Sequence, residues 1–450
     1  APGSPVGMAP LHQGEILTAA PPVPPPVHRV SVTVLGALLA SALLGLVAAE
    51  MPRLGAGILG LALAVVGLAC ATRWWGAVAV MAPVVFGVTI TFGGLPTGLF
   101  LGGIVLPLAV VWWATGAGRP RISWPALGAV LVFFCSGLLL AIIHGTDPGL
   151  AVSGTLVWTA GVLVGAGWAN SHRSLRICLV VLATLALFAV FELAGLKNPW
   201  MKFLGLDDFA SVNGERSLST FGHPLVAGAV FAVAALLAAG IDWPKWSKWI
   251  VVALLTAGAI STVSRSSLLA LVAGLLVMFL VNKGSRKTAI ATLAVGLGTV
   301  LVLALGWLPA LNDSLGNRVL GKQESQSVRV FALEHVGDLI QQSPGSFVVG
   351  DGVGSAAEFL QEAGTVNGFV VFDNQYVTWI HEYGALTLLL AGFFVVLAMM
   401  KASPRNREVG LPAFAAVLVV LFFGDGMQWP AIGFMASATM GLMCAPGRAD

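Results

Sequence analysis

Apolar stretches of roughly 20 residues follow one another along this chain almost from end to end. A bilayer core about 30 Å thick is crossed by a helix of about 20 apolar residues, because the backbone must satisfy its own hydrogen bonds where water is absent. Of the 450 residues, 57% are hydrophobic and 10% charged, against about 25% charged in a soluble domain. Most of the chain therefore belongs in lipid. The hydropathy pattern predicts spans at 30–49, 54–72, 74–91, 95–114, 124–143, 150–168, 175–195, 222–241, 248–263, 265–282, 288–308, 374–398, 411–425 and 428–445. The expected fold class is an all-α polytopic membrane protein with about 14 transmembrane helices.

Positive loops stay on the cytoplasmic side, so the placement of Lys and Arg orients the chain. With a cytoplasmic N-terminus, alternation assigns Arg73, Arg119, Arg121, Arg173, Arg176, Lys245, Lys248, Lys283, Arg286, Lys287, Lys401, Arg405 and Arg407 to inside loops. Only Arg53 and Arg265 fall in the short outside loops. Both termini are then expected in the cytoplasm, with two long loops, 196–221 and 309–373, outside. Asp207, Asp208, Glu215, Asp313, Glu324, Glu334, Asp338, Asp351, Glu358, Glu362 and Asp373 share that side. Chemistry is thus expected on the extracytoplasmic face, where ATP and nucleotide sugars are absent.

Residues 1–29 contain PPVPPPV, which cannot sustain a helix, and are expected to form a disordered cytoplasmic tail before the transmembrane domain of 30–450. The net charge of +3 gives no sign of nucleic-acid binding. Cys70, Cys135, Cys178 and Cys444 lie in or at the ends of apolar segments without metal-ligand spacing, so neither a disulfide nor a metal site is expected.

Several polar residues stand out against this background. Arg265, in STVSRSS between two apolar segments, reads either as an interfacial anchor or as a phosphate-binding guanidinium, whose planar fork suits a diphosphate. In DDFASVNGERSLSTFGHP, Arg216 taken alone is a solvated loop charge, and His223 starts a helix whose first turn accommodates Pro224. The segment ESQSVRVFALEHVGDLIQQSP aligns Val328, Phe331, Ala332, His335, Val336 and Leu339 on one helical face, as in an amphipathic helix on or over the membrane. Arg329 belongs to it. The following VVGDGVGSAAEFL has the glycines of a tight turn but lacks the Lys-Ser/Thr of a P-loop. In DNQYVTWIHEYGALTLLL, His381 and Glu382 form an intramembrane pair, read either as functional or as a structural pairing. Glu192 carries the same ambiguity.

Together these segments resemble the O-antigen ligase and O-antigen polymerase superfamily of bacterial polysaccharide assembly, over roughly residues 210–395. The resemblance rests on Arg216 with Gly222, His223 and Pro224; on Ser264, Arg265 and Ser266; and on a long loop with Arg329 and the turn Gly350, Gly352 and Gly354. An x-N-x-Y…E-x-G helix follows, with Asn374, Tyr376, Glu382 and Gly384. It implies a GT-C-like bundle with a large helical extracytoplasmic loop in the bacterial inner membrane. It also implies transfer of a glycan from a polyprenyl-diphosphate-linked donor to an acceptor saccharide, without metal, nucleotide or other cofactor. Arg216, Arg265 and Arg329 would hold the donor diphosphate, while Gly350, Gly352, Gly354, Asn374 and Tyr376 would support the loop and turn. Ligases of the family usually have His before the Asn; here that position is Asp373, the expected base, with Glu382 and His223 next in line. The alternative reading is a lipid-linked oligosaccharide flippase, against which the large outer loop argues. No internal repeat of the transporter kind is evident.

Overall fold

The computed structural model describes residues 76–86, 97–115, 121–146, 148–196, 198, 216–281, 290, 324–362, 372, 374–424 and 429–447. Among these residues the regular elements are helices, with one isolated bridge between Ala402 and Pro446. In chain order they are α1 (Gly76–Phe86), α2 (Thr97–Thr115), α3 (Trp124–His144), α4 (Gly149–Asn170), α5 (His172–Leu193), α6 (Pro224–Gly240) and α7 (Lys245–Ser261). Then come α8 (Arg265–Val281), α9 (Glu324–Gln342), α10 (Pro344–Val349), α11 (Ser355–Glu362), α12 (Gln375–Met400), α13 (Pro404–Phe422) and α14 (Pro430–Met443). Helices α1 to α8 and α12 to α14 fall on expected spans. The tail 1–29, the spans 30–49 and 54–72, and 288–308 apart from residue 290 lie outside the described residues. Trp124–His144, Ala151–Asn170, His172–Leu193 and Gln375–Met400 are both long and apolar enough to cross a bilayer, and shorter apolar helices accompany them.

Local sequence sets the helix ends. Proline stands in the first turn of α3, α6, α10, α13 and α14, where no amide hydrogen is required. Asn374 caps α12 by accepting from the backbone N–H of Tyr376 at 3.0 Å and of Val377 at 3.4 Å. Helix α3 stops at Gly145 (φ 73°), whose N–H and that of Thr146 return to Ala141 O. Helix α13 begins seven residues before the expected span, because Ser403 Oγ accepts from Asn406 N and Pro404 follows it. A charged segment that reads as a loop is thus the first two turns of a helix.

The bundle packs on small residues. Gly161 and Gly165 of α4 leave no room for a side chain against Ser437 and Ala438 of α14, and Gly441 of α14 meets the Val162 backbone in the same way. Close backbone approach of this kind is how helices associate in lipid, where the hydrophobic effect between them is weak. Gly258 of α7 likewise closes on Ala186 of α5, and Gly274 of α8 lies under Leu236 of α6 and the Pro412 carbonyl of α13.

The loops sort to two ends. At one end Arg176 donates to the Asp242 carbonyl and Arg405 pairs with the Asp242 carboxylate, joining the starts of α5, α7 and α13. At the other end lie Glu192, the 216–223 segment, the α7–α8 turn and the start of α12. Among the described residues, Arg176 and Arg405 of the loops assigned above to the inside thus meet at one end, and Arg216, His223 and Arg265 lie at the opposite ends of α5, α6, α7 and α8.

Helix α12 is not straight. Gly384 takes φ 74° and ψ 158°, splitting it into a buried first part, the outer one on the expected topology, and a second part whose Leu389, Phe393 and Met400 are exposed. The apolar face of α9 packs on this outer part, with buried Ala332 joining Ala356, Leu360, Phe372 and Val377 in a small second core. That face is covered by protein.

Candidate functional site

One group of candidate residues is built where α5, α6, α7 and α8 end or begin. Glu192, at the end of α5, accepts from the backbone N–H of Leu218 at 3.1 Å and of Ser219 at 2.8 Å, and from Asn198 Nδ2 at 3.0 Å. Charge-assisted bonds of this type contribute roughly 1.5–3 kcal/mol each. They hold the 216–222 segment against the bundle, with Ser219 at a positive φ of 51°. Ser217 Oγ adds a bond to Ala189 O at 2.6 Å. The structural reading of Glu192 therefore has a concrete content: it is the anchor of the segment that carries Arg216.

Arg216 Nε donates to Thr262 O at 3.1 Å, in the turn between α7 and α8. The next residue, Val263, has φ 49°, a conformation that a β-branched residue adopts only when its surroundings impose it. Two residues on, Arg265 is exposed at the first position of α8. Ser264 Oγ accepts from Ser267 N at 3.4 Å, and Ser267 Oγ reaches Leu225 O at 3.4 Å across to α6. Gly228 permits this closeness, since a Cβ there would lie 2.5 Å from both Ser267 Oγ and Thr262 Oγ1. His223 caps α6 through Nδ1, stacks on Trp429 at 4.9 Å between ring centroids, and lies within electrostatic reach of Arg216. Arg216, His223 and Arg265 are thus brought to one turn. Two guanidinium groups stand beside a strained turn at the rim of an apolar bundle.

A second group is held by α3 and α9 to α12. Gly350, Gly352 and Gly354 all take positive φ, at 90°, 96° and 91°. Their turn docks on the bend of α12: Asp351 N donates to His381 O at 2.8 Å and Gly352 N to Glu382 O at 3.0 Å, the carbonyls that the bend leaves exposed. Gly354 N donates to Glu382 Oε1 at 2.9 Å, so the buried Glu382 carboxylate is a bracket for the glycine turn. A Cβ on Gly350 would lie 2.6 Å from Glu382 O, and one on Gly384 would lie 2.7 Å from Gly350 N and strike the Val348 carbonyl. Tyr376 reaches Leu418 O of α13 at 2.9 Å. Below, Phe133, Trp158, Tyr376, Trp379, Leu388, Leu418 and neighbours line an apolar cavity of about 340 Å³.

Beside the bend, His335 Nε2 lies 3.1 Å from His381 Nδ1, and Asp351 Oδ2 is 3.9 Å from the same His381 nitrogen. Both imidazoles are buried, and Phe359 and Phe372 pack on the His335 ring at 4.2 and 5.1 Å. Burial, and after it the neighbouring His381, hold the His335 imidazole down to about 4, against the opposite pull of Asp338 and Asp351. Among the described residues no set of His, Cys, Asp or Glu is grouped to hold a metal ion. Sequence reasoning placed His335 on a packing face and Asp351 among the outer acids without linking them to His381. The helical phase that points His335 inward was the one available signal.

Arg329 lies in the second turn of α9, and Asp373, the expected base, lies outside the described residues between Phe372 and Asn374. No curated protein sequence matches the chain. Residues 249–392, about a third of the chain, match the family model described as O-antigen ligase; this stretch runs from α7 through the bend of α12 and contains Arg265, Arg329, the glycine turn and Glu382. This match supports the O-antigen ligase and polymerase superfamily as the family of the chain.

Proposed function

We propose that this protein is a multi-pass glycosyltransferase of the bacterial inner membrane that moves a glycan from a polyprenyl-diphosphate donor to an acceptor saccharide at the outer face. The observation that carries this reading is the joining of Arg216 and Arg265 about one turn, within a bundle of which residues 249–392 match the O-antigen ligase family model. Orientation follows from the positive-inside rule applied to the basic end. Arg216, Arg265 and Arg329 neutralise charge on the leaving diphosphate, an electrostatic contribution that grows where water is scarce. The acceptor hydroxyl oxygen bonds to the anomeric carbon from the face opposite the diphosphate, the carbon–oxygen bond to phosphate breaks, and the hydroxyl proton passes to Asp373. This single displacement inverts the anomeric centre and uses no metal or other cofactor. The apolar cavity among α3, α4, α12, α13 and α14 offers a bed for part of the donor's hydrocarbon chain.

The test is the purified protein in nanodiscs with a polyprenyl-diphosphate oligosaccharide and an acceptor glycan. New glycosidic bonds are expected. In liposomes, movement of the intact donor between leaflets without bond formation would instead establish the flippase reading.

A further inference from the structure

Besides the docked glycine turn, the His335–His381 contact is a buried side-chain link between the 324–362 helices and the membrane bundle. It joins α9 to the outer part of α12 inside the second core of Ala332, Ala356, Leu360, Phe372 and Val377. One proton between Nε2 of one ring and Nδ1 of the other makes the hydrogen bond, with both rings neutral. With every nitrogen of both rings protonated, two N–H groups and two positive charges oppose each other within 3.1 Å. We propose that His335 and His381 form a proton-counting latch that seats α9, the carrier of Arg329, on the bent helix α12, and that further protonation releases it. His335 is then a positioning residue for the donor site. Its bearing on donor binding rests on the transferase reading above; the latch itself does not.

The surroundings set the sign. From α9, Asp338 faces the pair; from the glycine turn, Asp351 lies 3.9 Å from His381; and on α12 the neighbouring Glu382 carboxylate is engaged by Gly354 N. Glu334 and Glu358 are exposed. An imidazole in water titrates near 6.5, whereas docked His335 stays neutral down to about 4. Between those values the undocked form takes up a proton that the docked form refuses. Docking is therefore intact above about pH 6.5 and weakens as the pH falls, by up to about tenfold per unit.

The experiment is pulsed EPR on the full chain in nanodiscs, with spin labels at the exposed positions Ile340 of α9 and Val396 of α12. Parent protein should give one narrow distance at pH 7.5 and a second, longer population at pH 5. His335→Gln keeps a donor for His381 Nδ1 but does not titrate, so its distance should be narrow at both pH values. The donor KM should rise on acidification in the parent and stay flat in His335→Gln. A parent distance unchanged at pH 5, or equal broadening in His335→Gln, overturns the latch. If the distance shifts as expected but no transfer occurs at any pH, the latch stands and the transferase reading falls.

Discussion

Replacing Gly384 by alanine puts a side chain where two backbone segments already touch. Two contributions add. The residue sits at φ 74° and ψ 158°, a region that L side chains occupy at a cost of about 1–3 kcal/mol. The new Cβ would also strike the Val348 carbonyl and come within 2.7 Å of Gly350 N, and overpacking of this kind costs about 1–3 kcal/mol. The sum, about 2–6 kcal/mol, corresponds to a factor of about 30 or more in the equilibrium between docked and undocked glycine turn. Three amides report on it: Asp351 N, Gly352 N and Gly354 N, bonded to His381 O, Glu382 O and Glu382 Oε1. Hydrogen exchange at these amides in nanodiscs should accelerate by that factor in Gly384→Ala. Gly392→Ala, eight residues along the same helix with no atom within 4 Å of the added carbon, is the control and should leave them protected. Parent-like protection in Gly384→Ala would refute the interlock.

Arg265→Lys should lose most transfer although charge is retained, because a diphosphate clamp uses the guanidinium's two-pronged geometry. Thermal stability should hold, since the Arg265 side chain is exposed and Ser264 provides the α8 cap; near-parent turnover in Arg265→Ala would return it to an interfacial anchor. Asp373→Asn should slow transfer by ~10²-fold or more with donor affinity nearly intact. Glu382→Gln should transfer close to the parent rate, because an amide oxygen can still accept from Gly354 N; a loss as deep as that of Asp373→Asn would make Glu382 the base. Cysteines placed in 309–373 should react with a membrane-impermeant reagent on intact cells while those in 401–407 do not, and the reverse pattern would invert the topology.

Hydropathy located the spans that the described residues cover because burial in lipid imposes one requirement on every residue of a helix, and that requirement is written locally. Helices α3, α4 and α12 begin and end within two residues of their expected spans. Where polar chemistry replaced apolar content the reading slipped, as at α13, whose start is set by Ser403 and Pro404 beneath a run of charges. The candidate site was legible in part. Arg265 stood out as a cation between apolar segments and Arg216 alone read as a solvated loop charge; their union depends on Thr262 O and on Glu192 holding residues 46 and 27 positions away. The tie of His335 to His381 spans 46 positions. No single window contains such a relation.

The interlock of Gly350 with Gly384 also orders the birth of the molecule. Gly350 leaves the ribosome 34 residues ahead of its partner, a delay of about 2–7 s at ordinary elongation rates. Throughout that interval the glycine turn has no surface to dock on, and α9 has no cover for Ala332 and Leu339. On the orientation proposed above, translocation of the loop precedes its docking on α12, and that face closes only after α12 is in the bilayer. A slowed or arrested α12 would leave an unseated loop, its glycine turn and the apolar face of α9 uncovered and open to proteases and chaperones.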